Sequence, residues 1–226
     1  MRVAVASAMT IPFNIVGFDL DGTLLDTSRD LGAAVSHALS LVNREPVPLV
    51  EVAGLIGGGA RLMLERALAL TGGDEGIDQD KLFAELLAYY EANIAVHTAP
   101  YPGAIAMLDT LAAAGIKLAV VTNKREPMAH KLFDALGLSA RFACIIGAGR
   151  YPLKPAPDAL LAMVSQCGGG RAAYVGDTTF DTRAAKAAGL PCVAVSFGFS
   201  DAPVRELGAD AVIDHFDQLV PALALL

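Results

Sequence analysis

The sequence predicts an α/β fold, a doubly wound parallel sheet with an all-helical insertion after its first strand. Two observations indicate this class. From about residue 100 onwards, short apolar runs of strand length alternate with helical patterns, which is typical of a parallel sheet with helices on both faces. Residues 28–98 contain helical patterns only. We therefore expect a Rossmann-like core of residues 1–27 and 99–226 and a helical cap domain of residues 28–98.

The composition limits the classes of function. The chain has 226 residues, 54% of them hydrophobic, and a net charge of -7. This charge disfavours nonspecific binding to nucleic acid or to anionic membranes. Three scattered cysteines indicate neither a disulfide framework nor a zinc site. Residues 1–9 carry too short an apolar segment for a secretory signal, and no later stretch is long enough to cross a membrane, so we expect a cytoplasmic protein.

The first strand is the apolar run of residues 15–18, which ends in two carboxylates, Asp19 and Asp21, followed by Gly22. Ligands of open α/β sheets bind outside the carboxyl ends of the strands, so these side chains are well placed for chemistry. At about 4 Å and an effective dielectric constant of about 20, their repulsion is on the order of 4 kcal/mol. A shared proton or a divalent cation such as Mg²⁺ would remove that cost.

Two other interpretations suit the pair of aspartates taken alone. A strand that ends in a solvated Asp-Gly turn is common. A calcium-binding loop needs glycine at its sixth position, where this chain has Leu24, and it follows a helix rather than a strand. We therefore set the calcium loop aside.

Helical patterns fill the insertion. Thr27 or Ser28 is suited to cap a first helix, which ends before Pro46. Further helices are predicted over residues 51–55, from the glycines at 57–59 to those at 72–73, and over residues 78–96.

Strands and helices alternate after Pro102. Glycines just beyond several of the helical patterns are suited to end them. Helices are predicted over residues 104–114, 126–136, 157–166 and 181–188, and strands over residues 117–122, 142–146, 172–175, 192–195 and 211–213.

Two further polar sites follow the predicted strands. Thr122 lies at a strand end before Asn123, where its hydroxyl is suited to donate to a phosphoryl oxygen, although Thr-Asn is also a usual turn pair. Lys154 precedes Pro155, which fixes the direction of the chain before a helix. It is either an exposed loop lysine or a fixed ammonium that offsets the charge of two aspartates and a phosphate.

Two more carboxylates follow the strand at residues 172–175. Asp177 lies at its end, where a metal-binding role is the better interpretation. Asp181 lies near the start of the next helix, where a carboxylate also gains from the helix dipole, so a pure capping role is the alternative.

Four stretches in this order resemble the motifs of the haloacid dehalogenase-like superfamily of phosphotransferases. The first reads Asp-Leu-Asp-Gly-Thr-Leu-Leu-Asp-Thr over residues 19–27, and the second reads Val-Val-Thr-Asn over residues 120–123. The third is Lys-Pro-Ala-Pro at 154–157, and the fourth is Val-Gly-Asp-Thr-Thr-Phe-Asp at 175–181. The resemblance covers nearly the whole chain, and the insertion is similar to the superfamily's cap domain.

The resemblance implies a covalent mechanism that suits these residues. Asp19 would attack phosphorus and become an aspartyl phosphate, and Asp21 would protonate the leaving oxygen and then activate water. Mg²⁺ would be held by the Asp19 carboxylate, the Asp21 backbone carbonyl and Asp177.

The same resemblance implies roles for the other motif residues. Thr122, the backbone N–H of Asn123 and Lys154 would hold the remaining phosphoryl oxygens. Asp181 would orient Lys154 or a metal-bound water.

Within the superfamily, residues 55–68 and 186–189 are most similar to phosphoglycolate phosphatases, which implies 2-phosphoglycolate as the substrate. Two departures concern this assignment: Gly58 stands where those enzymes usually have asparagine, and Ala-Gly-Arg at 148–150 replaces acidic residues. Gly57, at the turn before a helix, and Arg61 are candidates to receive the substrate's carboxylate. The alternatives are a flexible glycine loop and a solvated arginine.

Other functions of the same fold differ in their residues. A hydrolytic dehalogenase lacks the second aspartate, so Asp21 argues against one. A phosphomutase shares all four motifs, and a phosphatase of a sugar phosphate or nucleotide also stays open. A noncatalytic binding protein would be expected to have lost at least one motif, and none is lost. We expect a small phosphorylated metabolite as partner and leave monomer or dimer open.

Overall fold

A six-stranded parallel sheet forms the core of the computed structural model, which describes residues 10–226. Every neighbouring pair of strands is parallel. The two central strands are buried along their whole length, which explains their continuous apolar sequences. In spatial order the strands are β5 (Cys144–Ala148), β4 (Lys117–Arg125), β1 (Ile15–Phe18), β6 (Ala172–Gly176), β7 (Cys192–Val195) and β8 (Ala211–Ile213).

Helices cover both faces of this sheet. Alternate strand residues face opposite sides, so Val120 belongs to one apolar cluster and Val121 to the other. The first face packs against α5 (Ala104–Ala113), α6 (Glu126–Ala135) and α9 (Leu219–Ala224), and the second packs against α7 (Asp158–Gln166) and α8 (Thr179–Ala187). The predicted doubly wound α/β class is confirmed.

The insertion between β1 and β4 is helical, as predicted. It contains α1 (Ser28–Ser40), α2 (Leu49–Val52), α3 (Ala60–Leu70) and α4 (Gln79–Ala92), and its apolar residues are continuous with the first sheet-face cluster. Two short antiparallel strands join it to the core, β2 (Leu25–Asp26) and β3 (Ala99–Pro100).

Asp30 closes the base of the insertion. This buried carboxylate accepts hydrogen bonds from the backbone N–H groups of His97 and Thr98 and from the Thr98 hydroxyl. The start of α1 is thereby tied to the end of the insertion. This contact supports our proposal that the cap domain spans residues 28–98.

Several local predictions differ from the structure. The hydroxyl of Thr27 does not cap α1, because it donates to Asp21 instead. Strand β4 extends to Arg125, beyond the predicted end at Thr122, and α4 ends at Ala92 rather than near residue 96. Helix α9 was not predicted.

Other predictions concern membranes and cysteines. Within residues 10–226, no helix is both long and apolar enough to cross a membrane. The prediction made for residues 1–9 lies outside the described part of the chain. The three cysteines are free, and the Sγ atoms of Cys144 and Cys167 lie 3.9 Å apart.

Candidate active site

Three buried carboxylates meet at the carboxyl edge of the sheet. Asp19 directly follows β1 and Asp177 directly follows β6, and these two strands are neighbours. Asp181 comes from the first turn of α8. One carboxylate oxygen from each residue lies within 4.8 Å of the other two. Like charges this close in a dry environment require compensating positive charge or protons.

Asp19 is buried, and one of its carboxylate oxygens has no well-directed hydrogen-bond donor among the described residues. Its Oδ1 lies 2.9 Å from Lys154 Nζ, yet it accepts no well-directed hydrogen bond from any described residue. Burial raises the pKa of Asp19 to about 7; Lys154 opposes the rise and Asp181 adds to it. The carboxylate is therefore free to react or to bind a cation, rather than being fixed by donors.

Asp177 is completely buried but is held in place by donors. Its Oδ1 accepts from the Thr23 hydroxyl at 2.8 Å, and its Oδ2 accepts from the backbone N–H of Phe199 at 2.6 Å. Burial and the nearby charges of Asp181 and Asp19 raise the pKa of Asp177 well above the usual value. One lone pair on each oxygen remains available for a cation.

Gly22 allows this close packing around Asp177. Its φ of 81° lies in the left-handed region that favours glycine, and a Cβ at this position would lie 2.3 Å from Asp177 Oδ2. The glycine predicted to form the turn after Asp21 is therefore also required for space beside the carboxylate.

Asp181 has both of its oxygens engaged. Its Oδ1 lies 2.6 Å from Lys154 Nζ, and its Oδ2 accepts from the hydroxyl and the backbone N–H of Thr178 in a capping box. Both interpretations made from the sequence, orientation of Lys154 and capping of α8, thus describe actual contacts. Asp19 and Asp177 are the members of the trio with the freer oxygens.

Lys154 reaches the centre of this cluster from the loop before α7. Its ammonium donates to Asp181, to the Tyr174 hydroxyl at 3.0 Å and to the Val121 carbonyl at 3.2 Å. Burial opposes its charge, but Asp181 and Asp19 outweigh burial and raise the pKa of Lys154 well above the usual value. The lysine is a fixed cation rather than an exposed loop residue.

Thr122 and Asn123 lie beside Asp19 on the neighbouring strand β4. The Thr122 oxygen accepts from the backbone N–H of Lys124 at 3.1 Å, which leaves its hydroxyl hydrogen free to be donated. The Asn123 side chain bridges three segments: its amide donates to the carbonyls of Gly57 and Lys154, and its oxygen accepts from the Lys154 N–H. It fixes the lysine loop against the insertion.

Asp21 faces a cavity between the core and the insertion. Its Oδ1 accepts from the Thr27 hydroxyl at 2.7 Å and from Lys124 Nζ at 2.8 Å. Asp19, Thr122 and Asn123 also line this cavity. The cap side of the wall is mainly apolar, formed by Leu31, Ile56, Met63, Leu86, Leu87 and Tyr90.

The two predicted cap residues have different positions. Gly57 lines the cavity, as expected for a residue near the substrate. Arg61 does not line it: its guanidinium pairs with Asp80 at 2.8 Å and lies 4.2 Å above the ring of Phe83, with 42% of the side chain exposed. The orientation of α3 places the Arg61 side chain on the outer surface of the insertion. The interpretation of Arg61 as a solvated arginine therefore describes it better.

Arg61→Ala is therefore expected to change kcat/KM for every phosphomonoester by less than about threefold, because the guanidinium does not line the cavity and its exposed ion pair with Asp80 contributes little. Steady-state kinetics with 2-phosphoglycolate and an aryl phosphate tests this. A loss confined to the carboxylate-bearing ester would contradict the placement.

Sequence reasoning missed two buried polar residues of the cavity wall, Lys124 and Tyr90. Lys124 lies directly after the second motif, and alternation along β4 places it on the side of Thr122, so an extended strand would have indicated it. Tyr90 shares a buried face of α4 with Leu86 and Leu87, and nothing in that helical stripe distinguished it from core residues.

Several known proteins are similar to this chain. The profile of haloacid dehalogenase-like hydrolases matches residues 16–195. A phosphoglycolate phosphatase of Agrobacterium fabrum is 41% identical over 211 residues, which cover 91% of this chain and 90% of that protein.

Several solved structures are similar to this chain over nearly the whole length of both chains. A predicted phosphoglycolate phosphatase from Haemophilus somnus is 29% identical with a TM-score of 0.87, covering 93% of this chain and 98% of the other. CbbY from Rhodobacter sphaeroides, in complex with phosphate, is 25% identical with a TM-score of 0.78, covering 95% and 100% of the two chains. The resemblance drawn from the four motifs is confirmed, and the chain belongs to the family of haloacid dehalogenase-like hydrolases.

Proposed function

We propose that the protein is a Mg²⁺-dependent phosphomonoester hydrolase that acts on 2-phosphoglycolate through an aspartyl phosphate at Asp19. The observation that carries this proposal is the environment of the Asp19 carboxylate. It lies at a strand end on the cavity wall, next to a buried ammonium, and Oδ1 has no directed hydrogen bond from the described residues. A nucleophilic oxygen needs such freedom, whereas a structural carboxylate is usually satisfied by donors.

The neighbouring groups supply the other parts of phosphoryl transfer. The ammonium of Lys154 and the free hydroxyl hydrogen of Thr122 stabilise the equatorial phosphoryl oxygens, together with the Asn123 N–H. Asp21 protonates the leaving oxygen and, after the alcohol departs, takes a proton from the water that attacks the aspartyl phosphate. Its contacts with Thr27 and Lys124 orient its carboxylate towards the cavity.

Magnesium fits the residues present. Asp19 and Asp177 are hard oxygen ligands, both are buried, and burial raises the pKa of each, so a divalent cation would relieve an existing excess of negative charge. The Asp21 backbone carbonyl completes the proposed protein ligands. The bound ion would neutralise charge on the phosphoryl oxygens during transfer.

The substrate proposal rests on the cavity and on the relatives. The apolar side chains of the cap wall offer few partners for the hydroxyl groups of a sugar, and unpaired buried hydroxyls are costly. A compact acid leaves fewer polar groups to satisfy. Relatives such as the Agrobacterium fabrum protein are named phosphoglycolate phosphatases.

The test of the function is phosphate release from a panel of phosphomonoesters in the presence of Mg²⁺. We expect the highest kcat/KM for 2-phosphoglycolate, ahead of sugar phosphates, nucleotides and an aryl phosphate. Better turnover of a sugar phosphate would overturn the substrate assignment alone. Conversion of one phosphosugar isomer to another without release of phosphate would show a phosphomutase.

Asp177→Ala is expected to raise the Mg²⁺ concentration for half-maximal activity by at least about tenfold, because the ion loses a buried anionic ligand. The measurement is a Mg²⁺ titration of activity at saturating substrate. Asp201→Ala is the matched control: among the described residues, this aspartate accepts hydrogen bonds from Thr179 alone in an exposed contact, and its removal should leave the titration unchanged. An unaltered titration in Asp177→Ala would remove that residue from the metal site.

Mg²⁺ is expected to raise the melting temperature more at pH 8 than at pH 6. The folded-state pKa of Asp19 is raised to about 7, so its stabilising contribution is present below the unfolded pKa and is lost as pH rises through 7. At pH 8 the ionised carboxylate thus destabilises the metal-free fold and binds Mg²⁺ without displacing a proton. Thermal melts with and without Mg²⁺ at both pH values provide the measurement. A larger shift at pH 6 would contradict the assignment.

A further inference from the structure

Two buried polar side chains of the cavity wall, Lys124 and Tyr90, carry hydrogen-bond donors that the mechanism above does not use. Lys124 comes from the end of β4, and Tyr90 comes from α4 of the insertion. The Lys124 ammonium lies 4.7 Å from the centre of the Tyr90 ring. Both residues line the cavity next to Asp21, on the side of the insertion.

The hydrogen-bonding capacity of Lys124 is only partly used. Its side chain is 5% exposed, and its ammonium makes one directed hydrogen bond within the described chain, to Asp21 Oδ1. An ammonium has three donors, so two remain for a ligand. Burial opposes the charge of Lys124, but the Asp21 carboxylate outweighs burial and raises the pKa of Lys124.

The Tyr90 hydroxyl lies beside the Lys124 side chain but has no well-directed hydrogen bond among residues 10–226. The residue is 2% exposed, and no described residue makes a directed hydrogen bond to its hydroxyl. Lys124 is near enough to favour the ionised form, yet burial raises the pKa of Tyr90 above its usual value. The hydroxyl therefore keeps its hydrogen at neutral pH and offers one more donor. Buried orphan donors are rare in folded proteins and indicate an absent acceptor.

Charged groups of both signs surround this part of the cavity. Lys124 and Arg125 contribute two positive charges, and Asp21 contributes one negative charge. Asp19 lies deeper, where Lys154 faces it. The negative charge of Asp30 also acts on Tyr90, so this part of the cavity has no excess charge that would attract a second phosphate dianion. The free donors of Lys124 and Tyr90 suit a single carboxylate.

We propose that Lys124 and Tyr90 together receive the carboxylate of the substrate and thereby select a phosphorylated small acid over a neutral phosphomonoester. This proposal rests on the proposed function, since it assumes that Asp21 meets the ester oxygen. In 2-phosphoglycolate one methylene separates the ester oxygen from the carboxylate. A substrate whose ester oxygen lies at Asp21 would place its carboxylate next to the ammonium that contacts Asp21.

Because Tyr90 belongs to α4, the proposed carboxylate subsite spans the core and the insertion. One donor belongs to the core and the other to the insertion, so a carboxylate bound between them links the two parts across the cavity. An ester that lacks the carboxylate leaves both donors unsatisfied. Selection thus depends on groups that neither the phosphoryl site nor the metal site contains.

The test compares 2-phosphoglycolate with ethyl phosphate, which has a methyl group in place of the carboxylate. The readout is the ratio of the two kcat/KM values, because a general effect on Asp21 alters both and cancels. Lys124→Met should lower the ratio by about 100-fold and Tyr90→Phe by about tenfold, as expected for hydrogen bonds to a charged group. Lys131→Met and Tyr89→Phe are matched controls: Lys131 is exposed beside Glu91, and Tyr89 stacks on His37.

The outcomes separate the two proposals. A wild-type ratio near one would overturn both the substrate assignment and the subsite. A high wild-type ratio that persists in Lys124→Met and Tyr90→Phe would overturn the subsite alone. If Lys124→Met fails to fold in a thermal melt, Tyr90→Phe decides the matter, because it removes one oxygen without changing the shape of the ring.

Discussion

Asp19→Asn is expected to lower kcat by on the order of 10⁵-fold, since an amide cannot form the aspartyl phosphate. The fold should survive, because the side chains have the same shape and the Asp19 carboxylate accepts few hydrogen bonds that an amide would lose. Loss of this buried charge even removes part of the repulsion from Asp177 and Asp181.

The measurement is initial rate with an aryl phosphate at saturating Mg²⁺, together with a thermal melt. A melting temperature equal to or above that of the wild type, with no detectable turnover, supports the assignment. Activity above a trace in the purified variant would exclude Asp19 as the nucleophile. Deamidation back to aspartate is controlled by mass spectrometry of the same sample.

Lys154→Met is expected to lower both stability and activity. The ammonium is 2% exposed and lies within 3 Å of Asp19 and Asp181, so its removal leaves two buried carboxylates without their cation. Removal of one partner of a buried ion pair costs about 3–5 kcal/mol. The activity should fall by at least about 10³-fold, because a fixed positive charge beside the phosphoryl group is also lost.

A double variant separates the two effects of this lysine. Lys154→Met with Asp181→Asn removes the cation and one of its anions together, so part of the lost stability should return. Activity should not return, because the phosphoryl oxygens still lack the ammonium. Urea denaturation and initial rates of the three variants complete the cycle. Recovery of activity in the double variant would show that Lys154 acts only through the fold.

The sequence was sufficient for the sheet and for the residues that the sheet brings together. The apolar run before Asp19 and the run before Asp177 are too continuous for half-exposed strands, so both had to lie inside a parallel sheet. Carboxyl ends of parallel strands share one edge, which brought Asp19, Thr122 and Asp177 together without knowledge of the strand order. Lys154 followed from its motif rather than from any strand.

The roles of the cap residues were harder to predict from the sequence, because the way the helices pack depends on contacts across the whole insertion. The position of Arg61 one turn after a glycine loop did not reveal which side of α3 faces the cavity, and its pairing with Asp80 could not be read from the sequence. Tyr90 has the spacing of a core residue, and its unpartnered hydroxyl is visible only in three dimensions. Lys124 was missed because β4 was predicted to end at Thr122.

The central claim, that a covalent aspartyl phosphate forms on Asp19, is tested most directly in Asp21→Asn with an aryl phosphate. A phenolate leaves without protonation, so Asp19 can still be phosphorylated, while the loss of the general base stops hydrolysis of the intermediate. We predict one equivalent of phenolate in a rapid burst and a phosphoryl group on the peptide that contains Asp19. The double variant Asp19→Asn with Asp21→Asn should show neither. Steady turnover without a burst, or a phosphoryl group on any other residue, would contradict the account.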